Sequence, residues 1–255
     1  MAAKVLIIGA GDVGGRFARL LGGTGEVDRV VLAGMCQGEG PFMAGMLSSC
    51  FDLSAEFVEL DATRQADVEA LIRTVKPDLI IQSGVVISPF TLFTRSDPIA
   101  RAIVAAGVGL QLSAQLPVVL SVMRAVREVG YVGPVVNISF PDVTHPVLHK
   151  LGLMPTLGLG NTTIMVARAR DGLRRRMIAA GEDPATEPLV RIIGHHHQVY
   201  GAVMAQMPKD ADDRVRVYLG EDGTRNDELA YSGFPLRFDR TINEITTCSA
   251  LPILR

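Results

Sequence analysis

The chain has 255 residues, 48% of them hydrophobic and 20% charged, and a formal charge of −2 at pH 7. That length suits one large domain or two modest ones, and a balance with no basic excess argues against a nucleic-acid partner. Three cysteines (Cys36, Cys50, Cys248) form no C-x-x-C pair, which argues against a disulfide scaffold or zinc ribbon and fits a reducing, cytoplasmic setting. No uninterrupted apolar run approaches ~18 residues, so no membrane span is expected.

Lys4–Ile8 is a short apolar run suited to a strand buried on both faces. It leads into Gly9-Ala-Gly11-Asp12-Val13-Gly14, after which Phe17, Leu20 and Leu21 follow at helical spacing. Gly22, Gly23 and Gly25 end the helix, and Val30–Ala33 is a second strand. In a strand–turn–helix–strand setting this G-x-G-x-x-G predicts a dinucleotide site for NADP or NAD. Gly9 permits the tight turn, Gly11 lets backbone approach a pyrophosphate, and Gly14 lets helix and strand pack closely. The helix N-terminus, with Asp12 and Val13 in its first turn, supplies free N–H groups. The second strand lacks the usual terminal acid for the ribose hydroxyls; Gly34 and Gln37 stand there instead. That absence disfavours strict NAD recognition and tilts the expectation towards NADP.

Phe57–Leu60 reads as a third strand and Leu79–Gln82 as a fourth, with a helix over 63–75 between them. Asp61 and the Ser83-Gly84 turn fall at carboxyl ends of these strands, where ligands of doubly wound sheets bind. Asp61 reads equally as the N-cap of the helix that follows. A helix-rich stretch runs from Asp97 to about Gly130, and Pro117 is expected to break or kink it. Val135–Ile138 is a fifth strand, and Ser139–Asp142 a loop. Strand–helix alternation predicts an α/β chain with a doubly wound, mostly parallel Rossmann sheet. A smaller α+β region should follow, with an antiparallel strand at Val215–Leu219 and a turn at Glu221–Thr224. Residues 246–255 read as the first turns of a helix, and the abrupt end suggests a fragment of a longer protein.

Val5–Gly14, Val58–Thr63 and Lys76–Ile80 together resemble the NAD(P)-binding domain of saccharopine dehydrogenase-like oxidoreductases, over about residues 3–90. Further on, Val135-Val-Asn137, Gly158-Leu-Gly-Asn161, Ala167-Arg-Ala-Arg170 and Ile192-Ile-Gly-His-His-His197 resemble the layout of lactate and malate dehydrogenases. The resemblance implies a catalytic histidine, placed at His196. The aspartate that partners that histidine in the family would fall near 164–166, which here is Ile-Met-Val.

His195, His196 and His197 close an apolar run and are read as a strand end with His195 and His197 on one side. An imidazole can protonate the oxygen or nitrogen formed by hydride addition, so His196, then His195, is the candidate proton donor. Asn137 is a candidate orienting group at the fifth strand's end, and Arg168, off the apolar face of its helix, a candidate anchor for a substrate carboxylate. Asp142 with His145 or His196 is an alternative acid–base pair, against a plain Pro-Asp turn. No metal site is expected.

The function expected is NAD(P)-dependent hydride transfer to or from a small carboxylate-bearing substrate, a 2-oxo or hydroxy acid or an imine or amino acid. Residues 1–150 would hold the cofactor and 151–255 the substrate, with a homodimer open. The alternatives are a non-catalytic dinucleotide-binding module and a non-redox enzyme with tightly held NAD.

Overall fold

The computed structural model describes residues 3–203, 205–237 and 241–254, apart from the side chains of Phe93, Val108, His197 and Tyr200. Two compact units emerge, Met1–Leu159 with Leu251–Arg255, and Gly160–Ala250.

The first unit is a doubly wound α/β layer. Strands β1 (Ala3–Ile8), β2 (Val27–Gly34), β3 (Ser54–Glu59), β4 (Leu79–Gln82), β5 (Val135–Asn137) and β6 (Leu157–Gly158) form one sheet in the order β3-β2-β1-β4-β5-β6. Every pairing is parallel. The connections are α1 (Asp12–Gly22), α2 (Glu39–Cys50), α3 (Gln65–Val75), then α4 (Pro89–Phe93), α5 (Pro98–Ala105) and α6 (Leu112–Val129), and last α7 (Pro141–Lys150). Parallel strands need such crossovers, and burial on both faces explains why β1 and β4 are mostly Ile, Leu and Val. One core joins Leu6, Ile8, Val31 and Ile80 of the sheet to Val68, Leu71 and Ile72 of α3 and to Val119, Val122 and Ala125 of α6.

Several expectations change. Helix α2 is not signalled by periodicity, because Gly40, Pro41 and Gly45 interrupt it. It forms because Pro41 lies in the first turn, where a missing N–H is harmless, and because Gly40 lets the helix approach Phe57. Helix α6 runs through Pro117 without ending. The span Gly109–Val129 is apolar enough to cross a membrane by length and composition, yet half of it is buried, with Val118, Val122 and Val126 in the core of this unit. Residues Ser139–Asp142 are not all loop, since Pro141 begins α7 and fits its first turn. Asp61 does not cap α3, whose N-cap is Arg64. Its Oδ1 accepts from the N–H and the hydroxyl of Thr63 in a local turn, and those two bonds hold its carboxyl below the usual range.

The second unit begins with α8 (Asn161–Ala179). Strands β7 (Val190–Ile193), β8 (Arg216–Leu219) and β9 (Thr224–Arg225) make a small antiparallel sheet. Helices α9 (His196–Val203), α10 (Leu229–Ser232) and α11 (Ile242–Leu254) follow in chain order, the last passing its final residues to the first unit's span. Ile164, Met165 and Ala169 of α8 pack with Val199 and Ala202 of α9 and with Val215 and Val217 of the sheet.

Candidate functional site

In the first unit the glycine turn sits at the point where the strand order reverses, between β1 and β4. Gly9 has φ +105, and a Cβ there would lie 2.4 Å from the backbone nitrogen of Gly84. Both Ser83 and Gly84 donate their backbone N–H to the carbonyl of Ile8, and the Ser83 hydroxyl donates to the carbonyl of Gly9 at 3.0 Å. A Cβ on Gly14 would lie 2.0 Å from the same Gly9 carbonyl oxygen. Gly9, Gly14, Ser83 and Gly84 therefore interlock the two strand ends. Gly11 differs: a Cβ there would meet nothing within 4 Å, and Gly11 is the N-cap of α1 with no side chain over the helix end. The open face of Gly11 and the uncapped N–H groups behind it are what a pyrophosphate requires. Gly34 closes the end of β2 against Ala10, whose backbone nitrogen a Cβ would approach to 3.1 Å.

Beyond β4 and β5 lies a buried polar network that sequence reading missed. Gln82, fully buried, donates its amide to the carbonyl of Gly84 at 2.7 Å. Asn137 is also fully buried, and its amide is engaged locally. Its Oδ1 accepts from the Ser139 N–H at 3.0 Å, and its Nδ2 donates to the Thr144 hydroxyl at 3.1 Å. The Ser139 hydroxyl donates to Gln115 Oε1 at 3.0 Å, and Gln115 donates in turn to the carbonyl of Ile87. Asn137 is thus a clasp that fixes the turn into α7. His145, on α7, is half-buried, and its Nε2 has no hydrogen-bond partner among the described residues. Burial pushes its pKa down, and nearby Asp142 opposes this.

In the second unit the histidine run is not a strand end. Strand β7 stops at Ile193, and His196 opens α9. The His195 N–H donates to Oε1 of Gln198 at 3.1 Å, half of a capping box, and Gln198 was the readable signal for a helix start. His195 is exposed and His196 half-buried; the side chain of His197 lies outside the described residues. Nδ1 of His196 lies 3.2 Å from Nδ2 of Asn161. Gly160, not Asn161, is the N-cap of α8, so the Asn161 side chain is available for this contact. At the expected partner position, 164–166, Ile164 and Met165 are apolar core and Val166 is a half-buried apolar residue; Asn161, about one turn earlier, contacts the ring instead.

With Nδ2 of Asn161 donating to Nδ1, the neutral ring carries its proton on Nε2. An imidazolium needs an acceptor at Nδ1, and turning the carboxamide over presents Oδ1. With Oδ1 turned towards it, Nδ1 keeps its proton and Nε2 is left to give or take one.

Arg168 does not lie off the core face. It is 0% exposed, the largest fully buried side chain among the described residues. Its Nη1 donates to the carbonyls of Ala202 and Val203 at the end of α9. Nε and Nη2 are buried and have no acceptor among the described residues. These two nitrogens share one edge of the guanidinium, the edge that takes both oxygens of a carboxylate. Burial lowers the pKa of this group, opposed by Asp171. Asn161 and Arg168 are seven residues apart, so they share a face of α8 with about 10 Å of rise between them. Arg170 and Arg174, by contrast, both bind Glu187. Among the described residues no three His, Cys, Asp or Glu side chains gather as metal ligands.

The chain matches no family model and no curated protein. Among solved structures it is similar to the malate dehydrogenase of Picrophilus torridus (16% identity, TM-score 0.57, 99% of this chain and 67% of that one). It is also similar to the malate dehydrogenase of Cryptosporidium parvum (21%, TM-score 0.53, 99% and 69%). A lactate dehydrogenase from a Medee basin deep-sea metagenome library is a third (17%, TM-score 0.51, 77% and 56%). This chain thus spans between about half and two thirds of the length of these structures. At such identities the shared property is the fold, a Rossmann-type sheet followed by a smaller α+β part.

Proposed function

We propose that this protein is an NAD(P)-dependent oxidoreductase that transfers a hydride to or from a small carboxylate-bearing substrate, a 2-oxo or hydroxy acid or the related imine or amino acid. The reading is carried by α8, which holds Asn161 against His196 and, on the same face, Arg168 with an unmatched two-nitrogen edge. Unit one supports it with an open Gly11 at the switch point of a parallel sheet. The likeness to structures of lactate and malate dehydrogenases agrees with it. The resemblance of residues 3–90 to saccharopine dehydrogenase-like proteins belongs to the same proposal, for the cofactor part alone.

A bound nicotinamide supplies the hydride or accepts it. Arg168 is the anchor proposed for the substrate carboxylate, through Nε and Nη2, a fork that fixes orientation as well as charge; both nitrogens are covered in the unliganded chain, so substrate entry must uncover them. As the imidazolium, with its Nδ1–H on Oδ1 of Asn161, His196 gives the Nε2 proton to the forming hydroxyl or amine; the neutral ring left behind keeps its proton on Nδ1, so the bare Nε2 takes one back in the oxidative direction. Asn161 keeps the ring oriented in either state. Asn137 acts at one remove, by holding the 138–144 turn beyond the strand ends. Asp61, Ser83 and Gly84 stand with the glycine turn as the cofactor-binding set. His195 is the second choice of proton donor, its backbone being used to start α9. The three free cysteines suit a cytoplasmic protein, and a small-molecule substrate, not nucleic acid or membrane, is its partner; a homodimer is part of the same proposal.

The test is oxidation of NADH and NADPH with a panel of 2-oxo acids and imines. Turnover in the wild type, and its loss in His196→Ala with nucleotide binding kept, is the result expected. Nucleotide binding with no turnover on any substrate, or near-normal turnover in both His196→Ala and His195→Ala, refutes the assignment.

A further inference from the structure

Strand β2 ends at Gly34 with no acid for the ribose hydroxyls, but the strand beside it does not. Gly34 pairs in parallel register with Glu59, the last residue of β3. Register partners on parallel strands project to the same sheet face. On Gly34 that face is the one towards Ala10 in the glycine turn. Glu59 is exposed, and its Oε1 accepts a hydrogen bond from Nε2 of Gln37 at 2.6 Å. Gln37 lies in the turn leaving β2, so this bond ties the carboxylate to the exit of β2. The second oxygen of Glu59 has no protein partner among the described residues.

The charge along the segment that leaves β2 is one-sided. No Lys or Arg occurs from Gly34 to Cys50, whereas Glu39 opens α2. The first basic residue after β3, Arg64, pairs with Asp67 at 3.1 Å.

We propose that Glu59 replaces the acid that β2 lacks and makes the dinucleotide site of unit one select NAD(H) over NADP(H). This rests on the dinucleotide reading of unit one. The carboxylate accepts hydrogen bonds from the two ribose hydroxyls of NAD(H). A 2′-phosphate in the same place meets that carboxylate, while Arg16 after the glycine turn and Arg64 after β3 are already paired with Asp12 and Asp67. The preference for NADP drawn from the bare end of β2 is thereby reversed, because the missing group comes from the neighbouring strand.

The experiment is titration of the full chain with NADH and with NADPH, followed by nicotinamide fluorescence. Wild type, Glu59→Gln and the control Glu56→Gln are compared, with thermal melts to confirm folding. Glu56 is on the same strand, but its register partner is Val31 and its carboxylate pairs with Arg29. The wild type should bind NADH about tenfold or more tighter than NADPH, and Glu59→Gln should bring the two within about threefold. Glu56→Gln should keep the wild-type ratio. A wild type that prefers NADPH, or a ratio unchanged in Glu59→Gln, overturns the proposal and leaves the dinucleotide reading standing. A folded wild type that binds neither nucleotide overturns both.

Discussion

Two glycines of one turn should respond in opposite ways to an added side chain. Gly14→Ala places a Cβ 2.0 Å from the Gly9 carbonyl oxygen, a distance that real Cβ atoms do not show. Both sides of the clash are backbone, and the Gly9 carbonyl is also held by the Ser83 hydroxyl. Relief therefore requires α1 and the β1 turn to separate by about an ångström, with a cost of about 3 kcal/mol or more. For a unit of this size that lowers the melting temperature by roughly 6–12 °C. Gly11→Val meets no atom within 4 Å of its Cβ, and its backbone (φ −82, ψ −159) suits a β-branched residue. Its stability should stay within about 1 kcal/mol of wild type. Yet the valine fills the face that a pyrophosphate must approach, so NADH affinity should fall about a hundredfold or more. Thermal melts and NADH fluorescence titration of both variants separate the two effects. Wild-type NADH binding by Gly11→Val, or wild-type stability of Gly14→Ala, refutes the assignment of roles within the turn.

Asn161 places its amide 3.2 Å from Nδ1 of His196. Asn161→Leu removes the partner altogether and should lower kcat about tenfold or more with nucleotide affinity unchanged. Glu187 takes both Arg170 and Arg174, and burial, which opposes its ionisation, is outweighed by these two hydrogen-bonded cations, so its carboxyl titrates below the usual range. A depressed folded pKa means stabilisation that is present above the unfolded value, near 4.5, and lost as pH falls through the folded one. Glu187→Gln should cost about 1–2 kcal/mol in urea unfolding at pH 7 and much less at pH 3; an equal loss at both pH values would contradict the pairing.

What was legible in the sequence was what local spacing controls. The apolar run at Lys4–Ile8 and the glycines at 9, 11 and 14 specify a strand, a turn and a helix within one short window, and the structure has them there. The strand at 216–219 and the turn after it were readable from alternation for the same reason. Helix α2 was not, because Gly40 serves packing and makes room for Phe57 on a neighbouring strand. Histidines 195–197 carry no periodicity of their own, and their helix depends on Gln198 reaching back to a backbone N–H. Asn161 meets His196 across 35 positions, Ser139 meets Gln115 across 24, and Glu59 becomes the neighbour of Gly34 only once β2 and β3 pair. Arg168 shows the limit most plainly, since it reads as lying off the apolar face of α8, whereas α9 covers that side and leaves it fully buried.

The measurement that bears most directly on the central claim is a single-turnover transfer from 4-deuterated NADH to a set of 2-oxo acids, with the products read by mass spectrometry. Deuterium at C2 of a 2-hydroxy acid product is expected with the wild type, and a rate lower by about a hundredfold or more with His196→Ala although NADH still binds. A wild type that binds NADH and transfers no deuterium to any substrate of the set, or a His196→Ala variant that transfers it at the wild-type rate, would contradict the account.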